Sequence, residues 1–315
     1  MTEHINDIPA YLLDIDNFQA LKELPVKLNV GKLVLMKHIP TGRIVTARFL
    51  NDGFADIHIQ RLFFREIWIQ IRLRHPCIQR FRGFTLLRDD RPYTPALIHD
   101  YSNYGTLQDY IDGTIKLTPT QKTKIAFAIA YGMQYVHSLN VLHRNLKPTK
   151  ILFNKQLEPL ISDFFLSLVI PENPNKTEDQ ENEIIVEESA GTKEWKSPEM
   201  ASRLDDKYHL TLKSDVFQYG QIIGCLLSGK DVEVYPNDVD KWDLTYDQIY
   251  QSYESTEKMI EMLYVFCLSP DLASRPSFSK IVNDMFLSDD DSNIPVFDGT
   301  NLEEFKEYRQ RLINS

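Results

Sequence analysis

The sequence predicts an α+β protein of two lobes, the first a small antiparallel β-sheet with one main helix and the second mostly α-helical. Three observations carry this expectation. Residues 31–50, GKLVLMKHIPTGRIVTARFL, are two β-rich runs around a PTG turn. After the strand-like run TPALIHDY the apolar residues recur at helical spacing. At 315 residues the chain can bury a large core, in one or two domains.

Element by element, the hairpin of 31–50 opens the first lobe, and IHIQRLFFREIWIQIRLR follows with apolar residues at helical spacing. TPTQKTKIAFAIAYGMQYVHSLN is an amphipathic helix with Thr118 or Thr120 as its cap. SDVFQYGQIIGCLLSG is almost wholly apolar and stops at Gly229, as a buried helix does. The lobes are expected to meet near residues 98–105. Residues 171–190, PENPNKTEDQENEIIVEESA, are polar and acidic and read as a loop, most of it mobile. In the tail, DGTNLEEFKEYRQRL, Thr300 and Glu303 have capping-box spacing, so a terminal helix is expected. Whether it docks on the second lobe or binds a partner stays open.

Composition narrows the function classes. Hydrophobic residues at 43% and charged residues at 25% are an ordinary globular balance. A net charge of −10 argues against a nucleic-acid surface. No apolar run has membrane-spanning length, and the opening MTEHINDIPAYLLDIDNF carries acids where a secretory signal carries lysines. Cys77, Cys225 and Cys267, odd in number and far apart, fit a reducing, cytoplasmic setting without disulfides or a zinc site.

A set of landmarks runs along the chain in one order: IVTARF, Glu66 on the first helix, LRHPCI, HRNLKPTKIL, SDFF, GTKEWKSPE, SDVFQYG and ASRPSF. Together they resemble a protein kinase domain over roughly residues 20–288. The resemblance implies a small lobe at about 20–100 and a large lobe at about 101–288, with 1–19 an N-terminal extension and 289–315 a tail. GTKEW followed by PE, with its tryptophan, is most similar to the tyrosine-kinase-like group, and Lys147 resembles serine/threonine rather than tyrosine kinases. The resemblance gives structural roles to His143 and Phe164 in a packed column, Asp215 as the anchor of the catalytic loop, and Glu199 with Arg275 as a buried ion pair. It makes Arg144 the receiver of an activation-loop phosphate and Thr192 a substrate-facing threonine that here is structural.

The same resemblance implies ATP faced by Gly31, Leu33, Thr46, Arg48, Glu66, His99 and Leu152, with metal at Asp163 and the chemistry at 145 and 147. Several of these positions depart from the family pattern. Residues 24–30, LPVKLNV, hold no glycine, although only glycine lets backbone N–H groups close around phosphate; Gly31 alone fits. Arg48 stands for the phosphate-holding lysine and could either serve a nucleotide or form a purely structural bridge to Glu66. Thr46 takes space that the family's alanine leaves for adenine. Asn145 replaces the catalytic aspartate, and an amide cannot accept a proton at neutral pH. Lys150 replaces the second metal ligand; an ammonium repels Mg²⁺ and either neutralises phosphates or pairs with Asp163. Phe165 replaces a glycine, which implies a locked segment. Gln70 sits where an apolar column residue is usual, and His99, by itself, reads as a packed core group.

One of Glu172, Glu178, Asp179, Glu181, Glu183, Glu187 and Glu188 could stand in for a phosphate on Arg144, or the acidic loop could pair with nothing. The expectation from these residues is a catalytically impaired kinase domain that signals by binding other proteins, including an active kinase. ATP would bind weakly or without metal, and Mg²⁺ would be poorly held. The alternatives are a weak serine/threonine kinase and an ATP sensor that does not hydrolyse.

Overall fold

The structure is a computed structural model that describes residues 5–25, 31–50, 56–86, 95–102, 104–113, 116–172, 182–229, 259–290 and 294–315. It divides into two compact units. The first is built from residues within 1–74, 78–103 and 163–165, and the second from the rest.

The first unit holds five antiparallel strands, β1 (Phe18–Glu23), β2 (Lys32–His38), β3 (Ile44–Phe49), β4 (Phe81–Thr85) and β5 (Ala96–Asp100), in the order β1-β2-β3-β5-β4. Strand side chains alternate between faces. Val34, Met36, Val45, Ala47, Phe49, Ala96 and Ile98 therefore gather on one side as one buried cluster. Leu97 faces the other way and joins Phe63, Ile67 and Ile71 of helix α1 (Ile57–Gln70) and its C-terminal end. Asp56 caps α1 by accepting from the His58 N–H at 2.8 Å. Thr46 and Arg48 lie opposite His99 and Leu97 in the ladder, and so share their face.

The segment read as an extension is part of this unit. Leu12 bridges to Phe84, the Leu13 N–H donates to the Phe84 carbonyl at 2.8 Å, and the Tyr11 ring stacks on Phe81 at 5.8 Å. β1 begins at Phe18, inside the stretch 1–19. Gly31 has φ +91°, and a Cβ there would lie 1.8 Å from the Phe49 carbonyl oxygen, so the close approach of β2 to β3 demands glycine. Residues 26–30 of the glycine-free stretch lie outside the described residues.

In the second unit, α2 (Leu107–Ile111) precedes α3 (Pro119–Ser138), which starts with a reciprocal box between Thr118 and Gln121. Short antiparallel pairs follow: β6 (Val141–Leu142) with β9 (Leu168–Val169), and β7 (Ile151–Phe153) with β8 (Pro159–Ile161). α4 (Pro198–Ala201) leads to α5 (Lys213–Ser228), which is closed by Gly229 at φ +66°. Two expectations are corrected. Part of the stretch read as a loop is β10 (Glu183–Val186), paired with β11 (Tyr208–Thr211), because Ile184 and Val186 turn inward and pack near Leu210. The terminal helix, Leu302–Ile313, is capped by Asn301, which accepts from the Glu304 N–H at 3.2 Å. Thr300 is used elsewhere, donating to the Phe297 carbonyl and meeting Thr123 Oγ1 at 2.8 Å.

That helix docks within the unit: Phe305 is fully buried against Phe127 and Phe286. All three cysteines are buried, and burial pushes the Cys77 thiol up to about 12. No helix among the described residues is long and apolar enough to cross a membrane.

Candidate functional site

The first unit assembles a chain of polar groups on one face of its sheet. β3 aims Arg48 toward α1, where Phe63, Glu66, Ile67 and Gln70 repeat at helical spacing and are buried. One arm of the Arg48 guanidinium donates to Glu66 Oε2, and Nη1 donates to Asp163 Oδ1 at 3.1 Å. The Arg48 side chain is 11% exposed and that of Glu66 is fully buried. A planar guanidinium can reach two carboxylates at once, which a compact ammonium does less well. Gln70 Nε2 donates to Glu66 Oε1 at 2.8 Å, so its Oε1 faces His99 Nε2, 2.6 Å away, and that ring nitrogen carries the proton. Asp163 has φ +66°, and Arg48 Cζ lies over the Phe165 ring, 5.0 Å from its centroid.

Electrostatics follow from this geometry. Burial, opposed by Arg48 and assisted by Asp163, leaves the Glu66 carboxyl raised to about 7. Burial works to lower Arg48, but Glu66 and Asp163 outweigh it and hold the cation. Burial drives His99 down to about 3, with Arg48 adding to the effect, so the ring is neutral as its bond to Gln70 requires. Gln70 is thus satisfied on both ends. Leu33 faces Arg48 in the β2–β3 register, and Thr46 is buried opposite His99. Arg48 thus pairs with both Glu66 and Asp163.

The second unit anchors its loop 143–146 from α5. Asp215 accepts from the main-chain N–H of His143 at 2.7 Å, from that of Arg144 at 2.8 Å, and from His137 Nε2 at 3.0 Å. One turn on, Gln218 accepts from the Leu146 N–H and donates to the carbonyls of Arg144 and Trp195. Gln218 was not singled out by sequence reasoning; the signal was a glutamine in a mostly apolar helix, three places after Asp215. His143 Nε2 donates to the Ser162 carbonyl, leaving Nδ1 to accept from the Asn145 N–H. Gly191 has φ +97°, and a Cβ there would meet the Arg144 carbonyl at 2.7 Å.

Three predicted residues come together at the loop. Lys147 Nζ donates to Thr192 Oγ1 at 2.7 Å, and that hydroxyl donates to Asn145 Oδ1 at 3.0 Å. Lys150 ends a 3₁₀ turn, its carbonyl accepting from Ser162 N–H and Oγ at 2.9 Å, and Leu152 is half-buried on β7. Phe164 is buried. Arg144 reaches the main-chain carbonyls of Leu166 and Glu188 at 3.4 and 3.2 Å. The acids are not idle either: Glu172 accepts from Asn140, and Glu183 pairs with His209. Glu178, Asp179 and Glu181 lie outside the described residues. Arg275 and Glu199 form a two-pronged pair at 2.7 and 3.0 Å, with the arginine 1% exposed.

Sequence comparison places these features among known proteins. The chain is 29% identical over 195 residues to a probable serine/threonine-protein kinase of Dictyostelium discoideum, covering 62% of this chain and 11% of that protein. It is 26% identical over 260 residues to the inactive leucine-rich repeat receptor-like protein kinase CORYNE of Arabidopsis thaliana, covering 74% and 59%. Mitogen-activated protein kinase 16 of the same plant is 28% identical over 209 residues, covering 66% and 35%. The chain thus spans between about a tenth and three fifths of the length of these curated relatives. A family model described as the protein kinase domain matches residues 29–287, and by that match this chain belongs to the protein kinase family.

Proposed function

We propose that this chain is a catalytically impaired kinase domain, a pseudokinase most similar to the tyrosine-kinase-like group, that signals by binding other proteins. The observation that carries the reading is the double engagement of Arg48. The carboxylate that the family uses for metal, Asp163, accepts a charge-assisted hydrogen bond from it. At position 150 a lysine stands for the other ligand, and Mg²⁺ wants oxygen ligands. These residues do not fit a Mg²⁺ site. Asn145 offers an amide where a general base belongs, a loss that typically costs roughly 10²–10⁴ in rate. A relative that is itself named inactive accords with the reading.

A phosphotransfer assay with purified protein, Mg²⁺ or Mn²⁺ and ATP tests it. The expected result is no turnover above background. Clear turnover that disappears in Asp163→Ala would overturn it and favour the second reading, a weak serine/threonine kinase, which draws on the intact Lys147–Thr192 bond. Thermal shift separates the remaining alternative. A ligand at ~100 times its Kd adds roughly 2.7 kcal/mol of stability, so stabilisation by ATP in EDTA would mark a nucleotide sensor.

A further inference from the structure

The hydrogen-bond directions around Thr192 fix which way Asn145 faces. A lysine ammonium only donates, so Thr192 Oγ1 accepts from Lys147 and its own proton goes to Asn145. The Asn145 oxygen therefore faces Thr192, and its Nδ2 donor points away. Asn145 is 7% exposed, and among the described residues no protein acceptor takes that nitrogen. Unlike the sealed hydroxyls of Ser197 and Ser214, it still reaches solvent. A buried amide has thus been set to offer hydrogen from a position where a carboxylate could only accept it.

We propose that this edge of the second unit binds the phosphate of a phosphorylated serine or threonine on a partner protein, through Asn145 Nδ2 and the Lys147 ammonium. This rests on the impaired-kinase reading, since a working base at 145 would repel the same group. A phosphomonoester brings about two negative charges and three acceptor oxygens. One amide and one ammonium flanking a shared hydroxyl suit a single such group, and are too few for the run of charge on a triphosphate. The turn after Thr192 adds one exposed cation, Lys193, and one exposed acid, Glu194. Arg144, beside Asn145 in sequence, is turned toward main-chain carbonyls and serves the fold instead.

The test is fluorescence anisotropy of the full chain with degenerate peptide pools fixed at a central phosphoserine, phosphothreonine or serine. The phosphorylated pools should bind at least tenfold more tightly than the serine pool. Asn145→Asp keeps the acceptor for Thr192 but places an anion where the donor stood; it should bring the phosphorylated pools down to the serine level with an unchanged melting temperature. Lys147→Met, on the other side of the hydroxyl, should weaken them about tenfold. Equal binding of phosphorylated and serine pools overturns the proposal, as does undiminished phosphopeptide binding by Asn145→Asp. ATP binding that depends on Asn145, without a preference for phosphopeptide, would assign the site to a nucleotide and also overturn it. None of these outcomes depends on turnover, by which the impaired-kinase reading stands or falls separately.

Discussion

The guanidinium carbon of Arg48 lies over the ring of Phe165, 5.0 Å from its centroid. At these two positions the protein kinase pattern has a lysine and a glycine, so each departure is the other's neighbour. A flat, weakly hydrated cation suits an aromatic face better than an ammonium does. A double-mutant cycle of Arg48→Lys and Phe165→Gly should therefore give a coupling of about 0.5–2 kcal/mol in chemical denaturation. A coupling near zero would mean that the ring packs without regard to the cation.

Removing the arginine strands two acids. Arg48→Met should cost about 3–5 kcal/mol, and more at pH 8 than at pH 6. The sign comes from Glu66, whose folded value is already raised by burial to about 7 from 4.5. A carboxyl raised in this way contributes stability that is fully present below 4.5 and lost as pH rises through the folded value. Without Arg48 that value climbs further, so the loss extends to higher pH. Urea denaturation of both proteins at the two pH values measures the difference.

His75 makes the opposite demand. Its ring stacks on Tyr135 at 5.1 Å, meets Tyr131 edge-on, and accepts from the Cys77 N–H. Burial lowers it to about 4 from 6.5. A base lowered in this way keeps its stability above 6.5 and loses it as pH falls toward 4. Between pH 7 and pH 5 this amounts to about 1–2 kcal/mol, discounted for partial exposure. His75→Phe keeps the stacking and should be less acid-labile by that margin, read as the change in denaturation midpoint with pH.

Two glycines separate strain from crowding. Gly42 has φ +69° with open space around it, whereas Gly191 has φ +97° and the Arg144 carbonyl in the way. Gly42→Ala should cost about 1–2 kcal/mol from conformation alone. Gly191→Ala should cost more, about 2–4 kcal/mol, because the anchored loop must also shift. Thermal unfolding of the two variants ranks them, and equal costs would refute the crowding.

The sequence carried the strands, the long helices and the alternation that puts Arg48 and Glu66 on facing surfaces, because each depends on near neighbours in the chain. It did not carry the reach of Arg48 to Asp163, since nothing local says which acid a long side chain will choose. The cap of the terminal helix slipped by one residue because Thr300 and Asn301 are both good caps; Thr300 found Phe297 and Thr123, which are set by tertiary packing. β10 hid in an acidic stretch because its two inward residues, Ile184 and Val186, pair with β11 and pack on Leu142, Ile170 and Met200, which are set by tertiary structure.

Three residues from mid-chain, 163–165, belong to the first unit although its other residues end by 103. A fragment truncated after the fifth strand would keep the sheet and α1 but arrive without the second acid and without the aromatic cover over the guanidinium. The N-terminal third of this protein is therefore not a severable module: its charge balance is completed by a stretch of polypeptide synthesised some sixty residues later.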